Sequence, residues 1–173
     1  LGAFYELALS HELVGNWDEA TENLERVVSL DPKFGAALFA LGRVQIKKGR
    51  SEKALEYLTG ALSQSILSGN REAEATVRNA IGLAHFYLDR HDDALNHYSQ
   101  SLEIKRDIGD ERGMSATLSN MAVVYQVRGD FDRSVATYRE ALAISERLGD
   151  TQGLAENLIN LGTVHEEMGQ LVE

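Results

Sequence analysis

The chain has 173 residues, of which 43% are hydrophobic and 25% charged, with one Pro, 15 Gly and no Cys. That is enough apolar material for a domain with a sizeable core. The lack of Cys excludes a disulfide framework and any cysteine-based metal or redox site, as fits a reducing compartment. A net charge of −10 gives a surface that repels nucleic-acid phosphates and anionic lipid, so neither nucleic acid nor membrane is the expected partner.

The opening stretch, LGAFYELALSHEL, carries Glu6 and no basic leader, so it does not read as a signal peptide. No stretch approaches the roughly 20 apolar residues that span a bilayer. The chain does not begin with Met and is read as a piece of a longer protein, with a cytoplasmic location expected. Further along, each pattern restates the one before. Leu7 and Ala8 are followed seven positions after the small residue by Gly15, then by Ala20, Leu24 and Val27 at spacings of four and three, the helical period. This reads as two helices around a tight turn. Asp31-Pro32 closes the unit, because Pro cannot continue a helix and suits the first turn of the next.

The same columns recur as Leu41-Gly42, Gly49, Ala54, Leu58 and Ala61. They return as Ile81-Gly82, Asp89, Ala94, Tyr98 and Ser101, and again as Met121-Ala122, Gly129, Ser134, Tyr138 and Ala141. A last copy starts with Leu161-Gly162 and Gly169 before the chain reaches GQLVE, where a further helix should begin. Small residues let paired helices approach, and large ones fill the space around the contact. Gly in the turn column supplies a left-handed helix ending. Gly69, Gly109 and Gly149 should end second helices, with Asn70, Asp110 and Asp150 capping the helices that follow; Asn16 and Asp130 should cap inside their repeats. No pair buries its apolar face alone, so the pairs must stack.

This pattern resembles the tetratricopeptide repeat over the whole chain. The later, longer repeats, with LGD between them and NLG or NMA inside the first helix, are similar to the class found in Leu-Gly-Asn polarity adaptors, kinesin light chains and bacterial peptide-sensing regulators. The resemblance implies an all-α fold, an α-solenoid: a right-handed superhelix of stacked antiparallel helix pairs. Four full repeats (about 1–34, 35–74, 75–114 and 115–154) would be followed by a partial one (155–173) whose orphan helix covers 151–168, all in one domain (1–173). The chain departs from the family pattern at Arg78 in a large apolar position, Asp89 in the turn, and Gln45 and three His where Tyr is usual.

In this family the first helix of each pair lines a concave groove that binds peptides or partner proteins. A second stripe on those helices, spaced by three and four, faces away from the packing columns. It supplies the expected groove residues: Tyr5 and Leu9; Phe39, Arg43, Ile46 and Lys47; Asn79, Phe86 and Tyr87; Asn120, Val123 and Gln126; Asn160 and Thr163. An apolar stripe on an exposed surface marks an interaction site, suited to an amphipathic helix or an extended apolar peptide. The Asn side chains carry donors and an acceptor and would clamp a peptide backbone. The alternative is that they bond neighbouring helices.

Only Arg43 and Lys47 are cations on this stripe, too few for the basic clamp with which some members hold acidic chaperone tails. His11, His85 and His165 share one packing column and read as aromatic filler, while His91 and His97 are six apart and do not share a helix face for a metal. No nucleophile triad, phosphate loop or buried carboxylate pair stands out, so no enzyme activity, metal or cofactor is expected. The leading function is a protein-interaction module. A second reading is self-assembly through exposed ends, Phe4 and Leu7 at one and Leu158, Leu161 and Val164 at the other, giving a homo-oligomer. A third is a sensor domain for an attached effector.

Overall fold

The computed structural model describes residues 1–170, and among these it has nine α-helices and no strand. They are α1 (Gly2–Leu13), α2 (Trp17–Leu30), α3 (Gly35–Lys47), α4 (Ser51–Leu67), α5 (Arg71–Phe86), α6 (His91–Ile108), α7 (Glu111–Val127), α8 (Phe131–Leu148) and α9 (Thr151–Gln170). The architecture is an all-α helical repeat. The chain separates into two compact units, Leu1–Ala94 and the part from Leu95 on, with the boundary inside α6.

The packing columns read from the sequence are the core. Ala20, Ala54, Ala94 and Ser134 are fully buried, and so are Leu24, Leu58 and Tyr138 at the large positions. In the first unit α1 packs on α2, α3 on α4 and α4 on α5; in the second α7 packs on α8 and α8 on α9. Gly42 shows why a small residue is needed where a pair crosses: a Cβ there would lie 2.5 Å from the Leu58 side chain. Ser134 adds a bond to its small column, its hydroxyl donating to Ala122 O at 2.9 Å.

One turn closes seven of the helices. At α3 the Arg50 N–H donates to Gln45 O (2.8 Å) across Gly49, whose φ is +69°, the six-to-one bond of a left-handed helix ending. The same bond recurs at Asn16, Asn70, Arg90, Asp110, Asp130 and Asp150. Asp89 performs the turn with φ +56° and is the one non-Gly residue with positive φ among those described; Asp is one of the few residues that tolerates the left-handed region. Gly169 differs from expectation. It lies within α9, which runs on to Gln170 instead of turning at 168. Elsewhere the turn is followed at once by the next helix, and here the positions where that helix would begin (171–173, the end of the partial repeat) lie outside the described residues.

The caps follow expectation at four points and fail at one. Asn70 accepts from Ala73 N (3.0 Å), Asp110 from Gly113 N (2.8 Å), Asp130 from Arg133 N (3.2 Å) and Asp150 from Gly153 N (3.2 Å). Asn16 makes no side-chain cap bond. Pro32 ends α2 but does not enter the next helix: α3 begins at Gly35 after a turn in which Asp31 accepts from the Lys33 and Phe34 N–H groups. Arg78 is accommodated in its apolar column by an ion pair. Its guanidinium and that of Arg71 hold the buried Glu74 carboxylate at 2.9 and 3.1 Å.

Candidate functional site

The first helices line a cavity in each unit. In the first, about 530 Å³ lies between α3, the end of α4 and the start of α5. Its walls are mostly apolar, with Phe34, Ala36, Phe39, Ala73 and Val77, and Lys33, Gln64 and Glu72 among the polar members. Tyr5 meets Phe34 edge to face with ring centres 5.2 Å apart. Burial, the largest influence, raises the Tyr5 hydroxyl above its ordinary pKa. The Arg43 guanidinium stands 5.5 Å over Phe39 and is ion-paired with Glu12, tying α3 to α1.

The second cavity, about 480 Å³, lies between α7 and α9. It is polar: Ser119, Asn120, Asn157, Asn160, Gln152, Glu156, Arg112 and Asp150 line it together with Val123. Arg112 pairs with Asp150 at 3.5 Å, and the Gln152 amide donates to Glu156 at 2.9 Å. Three of the residues expected on the binding stripe, Asn120, Val123 and Asn160, thus share one cavity; Phe39 alone of that set lines the other.

A tetratricopeptide repeat model matches residues 33–107 and 113–173, and a second model of the same repeat matches residues 3–33. The chain belongs to the tetratricopeptide repeat family. Among solved structures it is similar to BtubC (BKLC) from P. vanneervenii, at 24% identity over 94% of this chain and 70% of that one, with a TM-score of 0.81. A putative kinesin light chain from Podosopora anserina with nearly identical TPR-like repeats matches at 19% identity, covering 98% and 87%, TM-score 0.80. The Rap protein complexed with Competence and Sporulation Factor matches at 16% identity, covering 97% of this chain and 48% of that one, TM-score 0.83. At these identities the likeness shows the fold: an all-α, solenoid-type helical repeat. No curated protein sequence matches the chain.

Within this tetratricopeptide fold the remaining stripe residues divide by exposure. Arg43, Lys47, Tyr87 and Thr163 are exposed, and Leu9, Asn79, Phe86 and Gln126 are half-buried. Phe86 lies against Tyr87 and His91, with ring centres 5.7 and 5.9 Å away. Ile46 is a correction: it is buried in the first unit's core with Ala80 and Ala84, because α5 covers that end of α3. Of the residues expected at exposed ends, Leu7 and Leu158 are about half exposed and Phe4 and Leu161 are half-buried. Val164 is a second correction, fully buried with Ala122, Val135 and Tyr138. Val44, Ala84 and Val124, the repeat equivalents of Val164, are also fully buried; that apolar column was the available signal. His165 is exposed and fills no packing space.

Lys105 and Asn157 are among the buried polar residues that escaped the sequence reading. Lys105 is 6% exposed and donates to Gly113 O (3.1 Å) and Thr117 Oγ1 (2.8 Å), its ammonium pushed below the ordinary lysine range by burial. Asn157 is 3% exposed where Ala37 and Val77 stand in the first unit. Gly113 and Gly153 also have a role the repeat pattern did not reveal: each takes the capping bond at a place where a side chain would crowd the Asp carboxylate. Among the described residues no helix is long and apolar enough to cross a membrane.

Proposed function

We propose that the chain acts as one protein-interaction module that binds a peptide or a segment of a partner protein on the face of its first helices. Tetratricopeptide repeats are in general protein-interaction modules and are typically non-enzymatic. The observation that carries the finer reading is the cavity between α7 and α9, where Asn120, Val123 and Asn160 come together. Such a surface recognises a partner at little ordering cost to itself, since helices α7 and α9 are already fixed by caps and core. Support of a weaker kind comes from the Rap protein, a structural neighbour solved in complex with Competence and Sporulation Factor. The unit-one residues Tyr5, Leu9, Phe39, Arg43, Lys47, Asn79, Phe86 and Tyr87 belong to the same proposal, as do Gln126 and Thr163 in unit two.

Selection of random displayed peptides against the chain tests this. The double variant Asn120→Ala, Asn160→Ala should bind the selected peptides more weakly while keeping its thermal midpoint. A variant that melts early and binds undiminished when folded would make these Asn structural and defeat the reading.

A specific observation favours a second reading, self-association through α9. Leu158 is 53% and Ile159 69% exposed, and Gly162, whose counterpart Gly42 is covered by Leu58, has no neighbour within 4 Å of where a Cβ would stand. Molar mass by light scattering over a concentration series should then rise, and Leu158→Glu should restore the monomer. A constant monomer mass in the unsubstituted chain removes this reading.

A further inference from the structure

Lys105 is out of keeping with its column, whose members forty positions to either side are Ser65 and Ser145. Its side chain runs from the end of α6 to the first turns of α7 and ends on Gly113 O (3.1 Å) and Thr117 Oγ1 (2.8 Å). Only 6% of the residue is exposed, so its four-carbon stem fills the space between those helix ends. In the first unit the same space is bounded by Ser65, Ala73 and Val77, the equivalents of Lys105, Gly113 and Thr117. All three line the 530 Å³ cavity. One junction of the repeat thus shows what a corresponding junction has room for: an unbranched side chain as long as lysine's.

The far end of that space has a different chemistry in the first unit. Val77 offers no oxygen where Thr117 accepts from the ammonium. The hydroxyls of Ser65, Ser68 and Thr76 each donate to a carbonyl three or four residues back, so they have no hydrogen to offer a ligand. Ala61 and Val77 are buried, and with Phe39 they make an apolar floor. A lysine ammonium seated there would lose one of its two acceptors, which is strongly disfavoured. Methionine matches the lysine stem in length, carries no charge and adapts to irregular gaps. Two charged walls flank the floor: Lys33, before α3, and Glu72, in the first turn of α5. Neither side chain is ion-paired among the described residues. A segment with an acid on the Lys33 side and a base on the Glu72 side complements them. We propose that the cavity of the first unit takes a long, uncharged, unbranched side chain, methionine above all, from a partner segment that sets an acidic residue against Lys33 and a basic one against Glu72. This rests on the reading of the first-helix face as a partner-binding surface and names the side chain that the first unit selects.

The probe is N-acetylmethioninamide, titrated into the full chain while the methyl signals of Ala61, Ala73 and Val77 are followed by NMR, with N-acetyllysinamide and N-acetylglycinamide as comparisons. The methionine probe should give saturable shifts at all three residues. The lysine probe should bind at least about tenfold more weakly, and the glycine probe should leave the methyls unmoved. Ser65→Met fills the cavity from within, as Lys105 fills its own junction, and should abolish the response. Its thermal midpoint should be no lower than the parent's, since it adds apolar contact and removes only a bond within α4. Ser65→Lys with Val77→Thr rebuilds the second unit's arrangement and should block the probe equally, read at Ala61 and Ala73. Equal shifts with the lysine or glycine probe, or shifts that survive both replacements, overturn the inference. Peptides selected against the parent should bind Ser65→Met at least about tenfold more weakly. Selected peptides that bind the variant as tightly as the parent also overturn it, and leave the interaction module standing. If selection yields no peptides but the methionine probe still responds through Ser65, the preference of the cavity holds and the wider reading falls.

Discussion

The two cavities occupy the same place in the repeat and have opposite chemistry. Eighty positions separate Ala36 from Ala116, Phe39 from Ser119, Ala73 from Gly153, Thr76 from Glu156 and Val77 from Asn157. Each of these residues lines its own unit's cavity. The backbone is reused, capped at corresponding residues, Asn70 in one and Asp150 in the other. Three exchanges, of Phe for Ser, Thr for Glu and Val for Asn, turn an apolar niche into a polar one. In this fold the helical repeat fixes where a cavity lies, and a handful of side chains on the first helices fixes what it can hold.

The largest expected effect comes from forcing the second chemistry on the first unit. Val77→Asn places an amide in the core cluster of Leu38, Leu58 and Ile81 with no serine facing it. It should lose about 2–4 kcal/mol, from lost apolar burial plus an unmet polar group; urea unfolding with an unchanged m-value would check this. The first unit already holds one such misfit, since Gln45 is fully buried with neither amide atom bonded. Gln45→Met should therefore gain about 1–2 kcal/mol, and a loss on chemical unfolding would mean the amide is satisfied in solution. Removing the caps, Asn70→Ala in one unit and Asp150→Ala in the other, should cost about 1 kcal/mol each. Unequal losses by calorimetry would show that the Arg112 pair adds to the second.

The smallest effect concerns pH. Burial holds the His85 imidazole below its ordinary range, outweighing the attraction of Asp93 at 3.9 Å and joined by repulsion from Arg90, while Glu52 acts the other way. The unfolded chain thus takes up this proton at a higher pH than the folded one. Stability from this site is full above about pH 6.5 and falls as pH drops through the folded value. His85→Tyr, which introduces the residue found at the equivalent Tyr125, should flatten the change in thermal midpoint between pH 7.5 and 5.5. An unaltered slope would assign the acid sensitivity to other groups.

The repeating part of the fold was legible because each column is stated four times. Ala20, Ala54, Ala94 and Ser134, with Leu24, Leu58 and Tyr138, needed only the helical period to be recognised as core. Residues whose burial depends on a neighbouring repeat were harder. Ile46 sits on the stripe that points away from its own pair, yet α5 covers it; Val164 was read as an end residue, yet it packs against α7 and α8. Asn157 and Lys105 were illegible for a different reason. Each is a polar residue in a column that is small or apolar elsewhere, and spacing does not distinguish a buried polar group from an exposed one. The Asn16 cap failed because side-chain identity sets only the capacity to accept a bond.

The junctions between repeats have a consequence for how the chain opens. At 69–70, 109–110 and 149–150, adjacent residues end one helix and cap the next. Fraying the last turn of α4, α6 or α8 therefore releases the first turn of α5, α7 or α9 as well. The starts of α2 and α3, at Asn16 and Phe34, have no side-chain cap, so each can fray alone. In amide hydrogen exchange, the first turns of α2 and α3 should open as brief, local events. Further along, protection should be lost across α4 and α5 together, a pair displaced by one helix from the unit of sequence, and across α6 to α9 as one block, because Gly129 and Asp130 join α7 to α8 in the same way.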